Sequence, residues 1–423
     1  MNATLRSAVE RIVEAWLRRG TSPRDAMADD AELRRWSGSE RAEVARLSTR
    51  CVARSRLLAF AGRLARPSAA ELLAIELELA DSVEANRRLG DRIDELPDPV
   101  ERLGIAHSLP DYLAKEFLAA FGDEAGPLLT ALQQAPPRTV RANPLRVADR
   151  SALAEELHAE GIASEPCRFA PLGLHVLGVA DLFATAAFRR GAFEQQDEAS
   201  QLAALLVAPP PRGRVLDLCA GSGGKTLALA AQLANRGEVL ATDVSMRRLV
   251  SLRERLRRAG ANNVRSLTIG EDVLPAEVAT FAEHADRILL DAPCSGTGSW
   301  RRRPEGRWAV EADGLRSLQT TQRRLLDRAA ALLKPGARLV YATCSLLPIE
   351  NEEQVRGLLA RRDDLELVRA VEILGKALAE PLCDPSGTWL SLRPDQHGCD
   401  GFFAAVLRRK RDATGRRSAD PRP

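Results

Sequence analysis

From Arg214 onward the chain alternates short apolar runs with longer amphipathic ones, and this alternation restricts the fold more than any other feature of the sequence. "RVLDL" precedes a glycine loop and "KTLALAAQLA"; "EVLATD" precedes "MRRLVSLRERLRRAG"; "RILLDAP" and "RLVYATCS" are each followed by a helical stretch. Short strands without polar alternation are buried on both faces, and helices between them predict a doubly wound α/β fold around a parallel sheet. Ligands of such sheets gather at the carboxyl ends of the strands. Four successive strand ends carry an aspartate: Asp217, Asp243, Asp272 and Asp291. Each taken singly fits a helix or turn cap. Four in series predict a ligand bearing positive charge and hydroxyls.

The rest of the chain is organised differently. Residues 1–132 place apolar side chains at three- and four-residue spacing, as in "LRSAVERIVEAWLRR" and "AAELLAIELELADSV", and predict an all-helical domain. "QQAPPRT" interrupts that pattern and "VAPPPRG" marks a second junction, leaving 139–206 as a small mixed α/β segment before the alternating stretch 207–409. Residues 410–423 form a basic tail, expected to be solvated. No run approaches the roughly 18 apolar residues of a membrane span. The early charges in "MNATLRSAVERIVEAW" do not fit a secretory signal. Seven cysteines with no CxxC pair predict neither a disulfide scaffold nor a zinc module, and point to free thiols in a reducing, cytoplasmic compartment, with no metal.

The loop "VLDLCAGSGGKT" admits three ligands. Its ending resembles a phosphate-binding loop, but Cys219 stands where that loop needs its first glycine. The spacing of Gly221, Gly223 and Gly224 is not that of a dinucleotide fingerprint. S-adenosylmethionine fits better. A turn of small residues, Cys219, Ala220, Gly221, Ser222, Gly223, Gly224 and Lys225, lets the backbone approach its amino acid end. Asp243 is expected to accept from the ribose hydroxyls, Asp272 from the adenine amino group, and Asp291 to close the site.

Two strand-end cysteines narrow the methyl acceptor. Cys294 lies in "DAPCSGTG" and Cys344 in "YATCSLLP", each followed by serine. Carbon 5 of a pyrimidine takes a methyl group only after a thiolate adds to carbon 6, so covalent catalysis gives such a cysteine its purpose. Asp291, three residues before Cys294, is the expected acid near ring nitrogen 3.

The blocks "VLDLCAGSGGKT", "LLDAPCSGTGSWRRRPEGRW" and "LLKPGARLVYATCSLLPIENEEQV", with "GAFEQQDEASQLAALL" before them and "DGFFAAVLRR" after, resemble the signature blocks of the RNA (cytosine-5) methyltransferase family. The resemblance covers about 140–409. It implies a Rossmann-like S-adenosylmethionine-dependent domain in which Cys344 attacks the base and Cys294 helps to release the product. Cys219 to Lys225, Asp243, Asp272 and Asp291 would hold the cofactor. Gly221 and Ser222 replace the family's usual Ala-Pro, which loosens the turn but keeps its glycines and lysine. The helical N-terminus is similar in texture, position and length to the NusB-like RNA-binding domain of the RsmB-type 16S rRNA members. The implied partner is RNA, as 16S rRNA, acted on by a monomer with no membrane association. An RNA-binding ribosome-assembly factor that has lost turnover is the alternative, and a phosphate-loop nucleotidase comes third.

Several residues stay outside that scheme. "WRRRPEGRW" sets four arginines between Trp300 and Trp308, a pattern suited to phosphate contact and base stacking, though indoles flanking a loop also serve as lids or core. Arg141 and Asn143 in "TVRANPLRV" are read as RNA contacts or as a surface turn. Cys51, Cys167, Cys383 and Cys399 are expected to be ordinary buried or half-buried thiols.

Overall fold

The computed structural model describes residues 1–178, 181–271 and 273–411. The basic tail therefore lies, apart from Lys410 and Arg411, outside the described residues, as does Asp272. The chain forms two compact units, Met1–Ala135 with Ser299–Arg316, and Pro136–Gly298 with Ser317–Pro423.

The first unit is helical. Its helices Gly38–Ala53 and Ala69–Asp81 begin with capping boxes, Ser37 with Glu40 and Ser68 with Glu71, which satisfy backbone donors that a helix start leaves unpaired. Val9, Ile12, Val13, Leu47, Leu58 and Leu72 fill the core between them. Arg50 and Arg54 each donate at 2.5 Å to Glu76, a carboxylate that is otherwise buried.

Although it falls inside the stretch 207–409, the segment Ser299–Arg316 packs with these helices. Trp300 is buried against Phe117, with ring centroids 5.7 Å apart, and Arg307 is buried with its guanidinium donating to the carbonyls of Ala53 and His107. The Trp308 indole donates to Val52 O at 3.1 Å. The stacking reading of Trp300 is thereby corrected. Its ring is core, because an indole beside aromatic and apolar helix faces gains more from burial than from water.

The second unit contains two sheets. The smaller is antiparallel, in the order β2 (Ser164–Pro166), β3 (Gly173–Val176), β1 (Arg138–Ala142), β4 (Phe193–Gln195). The larger has β5 (Arg214–Asp217), β6 (Glu238–Asp243), β7 (Val264–Thr268), β8 (Arg287–Asp291) and β9 (Arg338–Thr343) in parallel, in the order β7-β6-β5-β8-β9. Beyond β9 the sheet is not parallel as expected: β12 (Phe402–Arg409) runs antiparallel between β9 and β10 (Leu365–Val368), and β11 (Leu390–Leu392) pairs with β12.

Successive strand residues feed opposite apolar layers. Leu289 and Val340 meet Leu202, Leu206 and Leu229 on one face; Ile288, Leu290 and Leu339 meet Phe281, Leu326 and Val355 on the other. That double burial is why the strands read as unbroken apolar runs. Strand order reverses direction at β5, and the crevice between β5 and β8 is the topological switch point where such folds bind ligands.

Candidate active site

The turn after β5 is shaped by two glycines with left-handed backbones, Gly221 (φ 56°) and Gly223 (φ 86°). A Cβ on Gly223 would lie 2.1 Å from Leu252 Cδ1, so no other residue fits there without displacing that side chain. Asp243, ending β6, accepts from Gly221 N and Ser245 N, both at 2.8 Å. The Gly221–Ser222 departure thus keeps a turn fastened to the next strand. Lys225 Nζ lies 2.6 Å from Asp291 Oδ2, and Thr226 Oγ1 donates to Asp217 Oδ2 at 2.7 Å. The lysine and hydroxyl that a phosphate loop would turn toward its ligand are spent on two carboxylates, which argues against the nucleotidase reading.

A cavity of about 550 Å³ opens beside this turn, lined by Cys219–Ser222, Gly224, Lys225, Asp243, Val244, Ile269, Asp291 and Pro293. Its size suits a nucleoside-bearing ligand. The donor set fits S-adenosylmethionine. Asp243 offers a carboxylate to a ribose diol, Asp291 is a second acid for the cationic amino acid end, and Val244, Ile269 and Pro293 give an apolar wall for a purine. Asp272 cannot be assigned a place, lying outside the described residues. Replacing Asp243 with alanine is expected to weaken cofactor binding about a hundredfold, the worth of two hydrogen bonds to a charged acceptor, as read by titration calorimetry.

Asp217 sits behind the turn, fully buried, and its Oδ1 has no hydrogen-bond partner among the described residues. Burial, reinforced by the charges of Asp291 and Asp243, raises its pKa from 3.8 to about 7 against the bond from Thr226. A folded-state pKa above the unfolded value makes the folded protein bind the proton more tightly, so stability is lost as pH climbs from about 4 to about 7. Asp217→Asn is expected to be more stable than the parent by roughly 2–4 kcal/mol at pH 8 and to differ little at pH 4, in denaturant melts without cofactor.

The two strand-end cysteines converge. Cys294 Sγ and Cys344 Sγ are 3.4 Å apart, both half-buried. Cys294 has its pKa raised well above the usual thiol value, first by its hydrogen bond to Cys344 and then by burial. The serines that follow each cysteine explain themselves in space. Ser295 Oγ and Ser345 Oγ both donate at 2.5 Å to Glu350, a fully buried carboxylate that also accepts from Ser295 N and Gln322 Nε2 at 2.9 Å. Thr297 Oγ1 accepts from Leu346 N at 2.8 Å, and Gly298 N donates to Cys344 O at 2.9 Å. Glu350 was not singled out from sequence. Its only signal there is an acid set among Leu346, Leu347, Pro348 and Ile349.

The chain matches the model of the family described as 16S rRNA methyltransferase RsmB/F over residues 204–408. It is 33% identical to the probable ribosomal RNA small subunit methyltransferase B of Bacillus subtilis, covering 75% of this chain and 70% of that one. The chain belongs to this family. The RsmB/F match leads into the catalytic sheet, and residues 109–181 match the ferredoxin-like domain of RsmF/B-like methyltransferases. The ribosomal RNA small subunit methyltransferase B of Pseudomonas syringae is 36% identical over 73% of this chain and 67% of its own. The solved structure of PH0851 is similar at a TM-score of 0.78 and 25% identity, covering 96% of this chain and 99% of that one. Membership makes the protein an S-adenosylmethionine-dependent methyltransferase on the doubly wound fold expected from sequence.

Arg141 and Asn143 prove to be neither surface turn nor RNA contact. Both are buried: Arg141 donates to Gly224 O at 3.0 Å and to Gln196, and Asn143 Nδ2 donates to Gly191 O and Ala259 O. They lock the small sheet onto the start of the helix Gly224–Gln232 and the end of the helix Met246–Ala259. Cys167 Sγ and Glu198 Oε2 each lie 3.8 Å from His175, but on opposite ring nitrogens, while Glu198 Oε1 accepts from Phe169 N and Ala170 N. That arrangement is a hydrogen-bonded brace. No described helix is long and apolar enough to cross a membrane.

Proposed function

We propose that the protein methylates carbon 5 of a cytidine in small-subunit ribosomal RNA through a covalent bond to Cys344. The observation that carries this reading is the 3.4 Å approach of the two cysteine sulfurs next to a cavity walled by Asp243, Asp291 and Pro293. The RNA follows from the names borne by relatives of one-third identity. S-adenosylmethionine, held by the Cys219–Lys225 turn, Asp243 and Asp291, supplies an electrophilic methyl group on a sulfonium.

The residues divide the remaining work. Cys344 as thiolate adds to carbon 6 of the cytosine, which raises electron density at carbon 5. Negative charge then builds on the ring, and Asp291 donates a proton to nitrogen 3, replaced on its carboxylate by one from the Lys225 ammonium 2.6 Å away. Once Cys344 is bonded to carbon, its contact with Cys294 is broken. Cys294, left beside the adduct, gives its own proton to solvent and as thiolate takes the carbon 5 proton; the freed electron pair re-forms the carbon 5–carbon 6 double bond, Cys344 leaves carbon 6 as thiolate, and the product departs.

Bisulfite sequencing tests the whole reading. Small-subunit RNA from cells lacking the protein should show one cytidine converted that is protected in the parent and in cells given the gene back. Identical maps in all three would reject it.

A further inference from the structure

At the strand ends opposite the cofactor cavity, arginines occupy one row of the sheet. Arg287 of β8 pairs in register with Arg338 of β9, and Arg338 with Arg408 of β12. Side chains directly opposite on neighbouring strands share a face, and like charges so placed destabilise the sheet. The row ends at Glu366 of β10, which answers Arg408 at 2.7 Å. Arg411 and Gly336 complete a hollow of about 530 Å³ around these residues. Among the described residues, four guanidinium groups therefore face one carboxylate. Asp286 and Asp364, in the flanking turns, are taken by Lys334 and by Arg362 with Arg409. Among the described residues, none accepts a hydrogen bond from the guanidinium of Arg338 or of Arg411. Arg287 is held in place by Val207 O, Ala208 O and Asp286 O, and its pKa is pushed down to about 10 by burial and by the neighbouring Arg338.

We infer that this arginine row is a second RNA-contact site, taking successive phosphates of the substrate's backbone at the end of the sheet away from the reacting base. The inference rests on the RNA reading above. Three strands about 4.8 Å apart spread the cations over about 10 Å, too wide for one phosphate and suited to a chain of them. The row lies about 13 Å along β8 from Asp291, so it meets RNA flanking the target. Backbone contacts of this kind carry no base specificity and fix the register of the RNA on the protein. They explain why a cluster of like charges is tolerated: its repulsion is relieved by the ligand.

Arg338→Gln combined with Arg411→Gln removes the two cations that have no hydrogen-bond acceptor among the described residues, so the fold and the cofactor site stay intact. Affinity of the full chain for transcribed small-subunit RNA is measured against salt. The slope of log affinity on log salt should become shallower by about 1.4, two single-strand phosphate contacts, with affinity at 0.1 M salt falling roughly tenfold. Turnover at saturating RNA and binding of S-adenosylmethionine should be unchanged. An unaltered slope overturns the inference and leaves the RNA reading standing. If inorganic pyrophosphate binds the parent through these arginines while the RNA slope does not move, the row is a free-anion site and the inference is likewise wrong. Failure of the parent protein itself to bind the RNA would remove the RNA reading, and this site with it.

Discussion

Cys294→Ala protein mixed with its RNA and S-adenosylmethionine is expected to accumulate as a covalent protein–RNA adduct that survives denaturing electrophoresis. Cys344→Ala should form none and lose turnover by at least about a thousandfold, because the methyl-accepting carbon is then never activated. The asymmetry follows from the order of the proposed steps. The sulfurs are 3.4 Å apart, and the hydrogen bond to Cys344, then burial, raises the pKa of Cys294. In the proposed sequence of steps Cys344 attacks and Cys294 acts after attack. Removing the later group stalls the reaction with the bond formed; removing the earlier one prevents the bond. An adduct seen with Cys344→Ala and not with Cys294→Ala would reverse the roles.

Glu350→Ala is expected to be the other severe change, at a residue that need not touch either substrate. Its carboxylate accepts from Ser295 N, Ser295 Oγ, Ser345 Oγ and Gln322 Nε2, and so ties both cysteine loops to one buried point. Without it, several buried donors lose their acceptor at about 1–3 kcal/mol each, partly relieved where Ser345 turns to Thr297, leaving a loss of about 3 kcal/mol or more. The milder Glu350→Gln keeps the volume but puts an NH2 group where an oxygen accepted. A positioning role predicts that this variant binds S-adenosylmethionine normally and yet loses most of kcat, since only the spacing of the sulfurs is disturbed. Equal kcat in Glu350→Gln and the parent would reduce Glu350 to a stabilising group.

Much of this molecule can be read from its sequence, for physical reasons. Ile288, Leu289 and Leu290 are all buried because their strand is covered on both faces, so the run contains no polar residue and ends abruptly at Asp291. The cysteines were legible because strand-end thiols followed by serine are chemically unusual, and the aspartates because they recur at each crossover. What escaped depends on which way side chains face. "WRRRPEGRW" reads as a nucleic-acid binder by composition, yet Trp300 and Arg307 point into the helical unit. Arg141 has the composition of a surface contact and the burial of a core residue, since its partners Gln196 and Gly224 are distant in sequence. Glu350 and the Arg287–Arg338–Arg408 row were invisible for the same reason: each exists only through pairing between remote segments. The antiparallel β12 was missed because its apolar run is no different from those of the parallel strands.

The covalent step can be tested directly with RNA carrying 5-fluorocytidine at the target. Fluorine on carbon 5 cannot leave as a proton does, so the adduct persists and its peptide can be mapped by mass spectrometry. The attached nucleotide should be found on Cys344, and on no other of the seven cysteines. A nucleotide on Cys294, or methylated product from ordinary RNA with no adduct from the fluorinated one, would contradict the account.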